Sequence, residues 1–528
     1  MMESTKSPKI PQNTKNSVIL RASRMALGTF SSRILGLIRE IALAAFFDRS
    51  VTDAWSAAFR LPNLLRRVLG EGGLSISLQP VLIQSRLEDE KVNSRKFPEL
   101  MGVLHSFLIV SLTLVTLAGI LGADPLLRLI LDSRYVTDTP QFLLTLYLAR
   151  IMFGFFFFIS LYAYYGAILN SVGSFGWPAA APILFNVSLI ISTLIPQNLF
   201  VLSGEALAGG VLIGGLLQMG ILLIPLAQRR LVPGWQWNPR SPELLKALKQ
   251  MLPGLVGLGV LQISVLINTH YASSLGQGGI SYFYWADRLL ELPLSLISVS
   301  LGTALLPTLT ETWLQGNKKQ VAQNCERYLS LSLFVAMAAA AGLFVLAQPI
   351  VQILFQRGEF TGTDTSAVAS ILKIYALILI PLSSIRVLVP SYYAAQKMWW
   401  PALCGGAGLI THIVMASLLA PTKGLQGITW AYAIGAFVNM SLLLLWMTPF
   451  LTAFPWKKFS KNLFKTLCAG GGMIGAGIFL WDQAFFENLI LRTLGVSVAL
   501  IFLYAFISLL LRHPEISDLK ERFFSSTS

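Results

Sequence analysis

The amino-acid sequence predicts an all-α polytopic membrane protein with about fourteen transmembrane helices, and three observations predict it. The 528-residue chain is 54% hydrophobic and 12% charged, with a mean hydropathy of +0.66, a composition that soluble domains do not reach. Its apolar residues fall in runs of about 20, long enough to cross a hydrocarbon core of about 30 Å. The basic residues behind the formal net charge of +15 gather in short connections between those runs, as loops facing anionic lipid do.

Taken in order, the runs cover residues 20–46, 54–84, 100–122, 141–168, 178–195, 206–228, 250–269, 280–306, 328–352, 368–394, 400–420, 426–450, 464–480 and 489–511. The polar, basic segment before the first run is followed by arginines and not by a small-residue cleavage site, so a cleaved signal peptide is not expected. The second run, about 30 residues or 45 Å as one helix, overshoots the bilayer. Gly70, Gly72 and Gly73 in LGEGGLS mark where it bends. The seventh carries Gln262 and Asn268, polar groups that serve helix packing. Arg357 and Glu359 lie on a solvated turn before the tenth. The last two runs carry no deep ionisable residue, and Gly471 with Gly475 offers a small-residue packing face.

An even number of spans puts both termini on one side and alternates the loops. On the side of the N-terminus lie 25 of the 40 basic residues, including the clusters Lys6 to Arg24, Arg86 to Lys96, Arg229 to Lys249 and Lys457 to Lys465. The other side has Arg49, Arg128, Arg134, Arg357, Lys423 and Arg492. The asymmetry places both termini in the cytoplasm.

The remaining basic residues fall inside spans, and five crowd the first two: Arg33, Arg39, Arg60, Arg66 and Arg67. Facing lipid, five arginines would cost on the order of 12 to 17 kcal/mol. They are therefore expected to line a wet, cationic cavity that takes an anion. Asp53, Arg60 and Arg67 are spaced by sevens with Asn63 between them, and Glu71 follows one turn on, which makes one polar stripe. Arg33, Gly36, Arg39 and Glu40 form a second face, with a small residue where a ligand or backbone can approach. An ion pair with Glu40, Asp53 or Glu71 accounts for any one arginine, but three carboxylates cannot neutralise five. In the eighth span Asp287, Arg288 and Glu291 sit within one turn, open both to a local Arg288–Glu291 bridge and to a cargo-facing arginine. Arg386, in PLSSIRVLVP, is a further candidate for the cavity wall. Arg60 and Arg288 precede Pro80 and Pro307 at matching distances, an echo of duplicated transporter halves.

Other chemistries lack their residues. Four histidines show no metal-ligand spacing, no nucleophile motif or Walker element occurs, and three cysteines, Cys325, Cys404 and Cys468, suggest neither disulfides nor a thiolate site. Nucleic-acid binding is not expected. A membrane enzyme acting on a lipid phosphate, with Asp287, Glu291 or Glu71 as acid or base, stays open as the alternative class.

At SRILGLIRE, TDAWSAAFRLPNLLRRVLGEGGLS and YWADRLLELP the chain resembles the MurJ/MviN family of bacterial lipid II flippases, within the multidrug, oligosaccharidyl-lipid and polysaccharide exporter superfamily; LGTALLPTL, LFQRGEFT and PSYYA are further landmarks. The resemblance implies two six-helix lobes around a central cationic cavity, at 20–228 and 250–450. A linker at 229–249 joins them, two C-terminal helices within 451–511 form a groove for a polyprenyl tail, and 1–19 and 512–528 are cytoplasmic tails. It places the functional arginines at Arg33, Arg39 and Arg66, with Asp53, Glu71, Asp287, Arg288 and Glu291 at other motif positions. It implies lipid II as cargo, the bacterial inner membrane as location and neighbours in cell-wall synthesis. It implies no cofactor, and a coupling Na+ or H+ has no assigned site. A flippase for another polyprenyl-diphosphate-linked glycan or a drug exporter is the alternative within transport.

Overall fold

The computed structural model describes residues 12–68, 75–92, 96–448, 451, 453–483 and 487–516. Helices and their connections make up these residues, with no strand among them. In chain order the helices are α1 Gln12–Phe46, α2 Arg49–Leu65, α3 Ser75–Val92, α4 Lys96–Leu121, α5 Ala123–Ile130, α6 Ser133–Thr137, α7 Thr139–Ser171, α8 Gly176–Ala180, α9 Pro182–Leu194 and α10 Glu205–Gln228. The series continues with α11 Pro242–Ser273, α12 Gly279–Leu314, α13 Lys318–Phe355, α14 Gly362–Ala394, α15 Trp399–Met447, α16 Trp456–Asp482 and α17 Leu489–Leu510. Among the described residues nine helices are long and apolar enough to cross a membrane.

The described residues of each expected run fall on helices or their ends, and the fifth run is divided at Ala181 between α8 and α9. Within the second run α2 ends at Leu65, just past Pro62, and a π-helical turn follows to residue 68; α3 starts at Ser75. The glycines expected to bend it, and Glu71, lie outside the described residues. The eleventh and twelfth runs are the two arms of α15, two helices that meet at an elbow at Gly424, φ 55°, ψ −132°. Past the elbow, a Cβ on Gly427 would sit 2.1 Å from the carbonyl oxygen of Leu419, so only glycine fits. Further along the two arms, a Cβ on Gly408 would lie 2.7 Å from the Gly435 carbonyl oxygen, and one on Gly435 would lie 2.6 Å from that of Gly408.

The chain divides into two compact units, residues 1–129 with 136–259, and residues 130–135 with 260–528. In the first, α7 is the hub, packed against α2, α3, α4 and α10, while α1 lies along α8 and α9. Its core is rich in aromatic residues: Tyr164, Phe155 and Phe156 are buried, and the Tyr164 hydroxyl donates to the Met101 carbonyl at 2.6 Å. In the second unit α14 packs against α12, α13 and α15, and α16 and α17 pack on α13. Asn268, expected to serve packing, pairs its side-chain oxygen with His412 Nε2 at 3.1 Å.

A buried carboxylate fastens α16 to α13. Glu326 is wholly buried and accepts from Lys458 Nζ at 2.7 Å, Asn462 Nδ2 at 3.1 Å and the Ser330 hydroxyl at 2.9 Å. The expected Gly471 and Gly475 packing face is not used: a Cβ at either position would meet nothing within 4 Å. The helix presents Gly470 to Met337 and Gly477 to Val345 and Leu500 instead, because the polar pairs around Glu326 turn that face inward. Cys325 and Cys404 are buried, Cys468 is exposed, and all three are free thiols.

Three helices end on a left-handed residue that is not glycine. At Arg230 (φ 56°), Gln396 (φ 56°) and Arg512 (φ 50°) the chain closes paired bonds back onto the helix, as in Leu231 N to Leu226 O at 2.8 Å and Arg230 N to Ala227 O at 3.0 Å. After Arg512, His513 is buried against the Phe334 ring, 4.6 Å between centroids, with Nε2 3.0 Å from the Thr466 hydroxyl. Burial pushes the His513 imidazole down from 6.5 to about 4, against a backbone bond at Asn462 that raises it and with Lys465 lowering it further. Between those values the unfolded segment binds the proton and the folded one does not, so stability is full above pH 6.5 and falls as the pH drops toward 4. The melting temperature should therefore fall between about pH 7 and about pH 5, and His513→Phe should shrink that difference; an unchanged difference would remove His513 from the effect.

Candidate functional site

The polar face of α1 is built around Arg39. Its Nη1 donates to Asn186 Oδ1 on α9 at 2.8 Å, its Nη2 pairs with Glu40, and its guanidinium carbon stands 5.7 Å from the centre of the Phe185 ring. Glu40 is 1% exposed and the Arg39 side chain 12%, so both charges are largely out of solvent. Asn186, itself buried, donates in turn to the Ser32 carbonyl at 2.9 Å. Its amide therefore bridges two turns of α1. Gly36 faces that amide: a Cβ there would lie 3.8 Å from Asn186 Nδ2 and Oδ1, in ordinary van der Waals contact. Arg33 is exposed on the same helix.

The stripe on α2 runs from buried Asp53, 2% exposed, toward half-buried Arg60, and then past buried Asn63 to half-buried Arg66 and Arg67. Asn63 orients the next arginine, accepting from Arg66 Nε at 2.9 Å. Asp48 caps the helix through Val51 N at 2.8 Å, and stacked Trp55 and Phe59, 5.2 Å apart, pack its apolar side. The structure thus brings Arg39, Glu40 and Gly36 together with Asn186, and Asn63 with Arg66.

In the second unit the Arg288–Glu291 bridge forms at 2.9 Å, with the Arg288 guanidinium 5.0 Å from the Tyr284 ring centre. Asp287 is half-buried beside it. Arg386 Nη1 donates to the Leu294 carbonyl at 3.4 Å. Among the described residues no group of three or more His, Cys, Asp or Glu side chains is placed to hold a metal.

Sequence reasoning passed over Asn186, Phe185 and Tyr284. Only a lone asparagine inside the apolar run PILFNVSLIIS signalled the first. Chemically, guanidinium groups offer parallel N–H forks that match phosphate oxygens, and partner amides fix their planes without neutralising them.

Long apolar helices with arginines held inside them define a multi-pass membrane protein equipped to handle an anionic cargo. The chain belongs to the lipid II flippase MurJ family, whose family model matches residues 42–504. It is 46% identical over 460 residues to a probable lipid II flippase MurJ of Bdellovibrio bacteriovorus, covering 87% of this chain and 88% of the relative. It is 32% identical over 467 residues to the lipid II flippase MurJ of Burkholderia cenocepacia, covering 87% and 89%. The fold is similar to a solved lipid II flippase MurJ in an inward closed conformation, at a TM-score of 0.75 and 24% identity over 94% of this chain and 99% of the other. It is also similar to an inward-facing multidrug resistance MATE family transporter of the MOP superfamily, at a TM-score of 0.70 and 15% identity over 80% and 95%.

Replacing Asn186 with leucine removes a bond to a charged donor and should lower stability by roughly 1.5 to 3 kcal/mol, read as a lower melting temperature in detergent. Asn186→Asp keeps the acceptor for Arg39 but loses the donor to the Ser32 carbonyl and adds a second carboxylate beside Arg39, so it should be destabilised as well. A leucine variant as stable as the parent would show that the bridge holds nothing.

Proposed function

We propose that this protein is a flippase that carries lipid II, an undecaprenyl diphosphate bearing a disaccharide-pentapeptide, from the cytoplasmic to the periplasmic leaflet by alternating access. The observation that carries this reading is the arginine-bearing face of α1 and α2 in a chain that belongs to the lipid II flippase MurJ family. The reading makes it a transporter, not an enzyme, and places it in the inner membrane of a bacterium with both termini cytoplasmic. Proteins that make and consume lipid II are its expected neighbours.

In this reading Arg33, Arg39 and Arg66 hold the diphosphate, and Arg60, Arg67 and Arg288 extend the cationic field. Gly36, Glu40, Asp53, Asn63, Glu71, Asp287, Glu291 and Arg386 position or gate them. Arg39 must exchange a present partner for a phosphate oxygen, and a neutral amide such as Asn186 is the cheaper one to leave, since parting from Glu40 would strand a buried carboxylate. The coupling ion is Na+ or H+, at a site not assigned. The likeness to the MATE fold favours a drug exporter as the second reading.

Depletion separates the two: lipid II should accumulate on the cytoplasmic face if the protein flips it, whereas loss of an exporter leaves its sidedness intact. Alanine at Arg33, Arg39 or Arg66 should reduce translocation roughly 10- to 100-fold, the value of one charge-assisted bond, while insertion into the membrane is unchanged. Lysine at the same sites should restore part of the rate. Full rate with lysine would mean that charge alone suffices, and full rate with alanine would sink the assignment.

A further inference from the structure

The connection between α10 and α11, residues 229–241, is an extended strap fixed along α4. Gln236 N donates to the buried Ser106 hydroxyl at 2.7 Å, and the Gly234 carbonyl lies 3.4 Å from His105 Nδ1. The Gln236 side chain occupies the space above Gly102, where an added Cβ would come within 3.0 Å of it. At one end the Ser241 hydroxyl pairs with Glu243 at 2.7 Å; at the other, Leu231 N closes onto the end of α10.

What this fixed strap turns outward is unusual for a water-facing loop. Trp235 is 62% exposed, Trp237 51% and Val232 52%. Arg229, Arg230 and Arg240 are exposed too, and none has a hydrogen bond, ion pair or ring contact through its side chain among the described residues. Arg230 occupies the left-handed position that ends α10, where glycine would be free of strain. The strap follows directly on α10, a helix apolar enough to span a bilayer. Tryptophan is enriched at the headgroup level of membranes, and arginine beside it meets lipid phosphate.

We propose that residues 229–240 are a membrane-surface anchor for an anionic leaflet: Trp235, Trp237 and Val232 enter the interface, and Arg229, Arg230 and Arg240 pair with lipid phosphates. Because the strap is hydrogen-bonded to α4, the anchor fixes the depth of that end of the first unit. The inference does not depend on the cargo, since none of these residues belongs to the arginine face of α1 and α2.

The test uses the full chain in nanodiscs of phosphatidylcholine with and without phosphatidylglycerol. Tryptophan quenching by brominated acyl chains is taken as the difference between the parent and a Trp235→Phe, Trp237→Phe variant. The expected result is quenching of these two tryptophans, stronger with brominated phosphatidylglycerol than with brominated phosphatidylcholine. The preference should fall by roughly fivefold for each arginine removed in Arg229→Gln, Arg230→Gln and Arg240→Gln, and should weaken with added salt. Equal quenching by both lipids would overturn the anionic preference. Quenching by aqueous iodide but not by bromolipid would overturn the anchor and assign the strap to solvent or a soluble partner. A parent-like melting temperature for the glutamine variants separates loss of lipid contact from loss of fold.

Discussion

A guanidinium group inside an apolar helix has to be answered by partners, and the arrangement of the first unit around α1 follows from that demand. Arg39 is surrounded by a carboxylate from its own helix, an amide from α9 and the face of Phe185. Because Asn186 also takes the Ser32 carbonyl, the group that answers the charge simultaneously sets the register of α1 on α9. Polar satisfaction and helix docking are one interaction here. The amide fixes the plane of the guanidinium, while Glu40 offsets the charge of Arg39.

Much of this was legible in the sequence, and what was not has a common cause. Runs of about 20 apolar residues, the arginines within them and the i,i+3 pair of Arg288 with Glu291 are local patterns, and local patterns survive into the fold. Asn186 meets Arg39 across 147 positions and Lys458 meets Glu326 across 132. No periodicity announces such pairs. The misassigned packing face of α16 belongs to the same class: Gly471 and Gly475 have the right spacing, but which side of a helix turns inward is decided by distant partners, here Glu326 through Lys458 and Asn462.

The two units solve the polar problem differently. In the first, Glu40 and Asp53 are sealed while the arginines near them stay half-buried or, at Arg33, exposed. In the second, Glu326 is sealed completely and answered three times over, an arrangement suited to fastening and not to binding, because losing Lys458 leaves a buried anion without its counter-charge. The terminal pair α16 and α17 is thereby joined to α13 near one end by Glu326 and again through His513, whose ring bridges Phe334 and Thr466.

The elbow at Gly424 folds α15 back so that Gly408 and Gly435 stand carbonyl to backbone, with no side chain interposed. Cohesion of that kind comes from close-set main chains and their weak Cα–H···O contacts, which slide poorly and tilt together. Arms set this close are built to move as one body, so the elbow holds them together instead of letting them part.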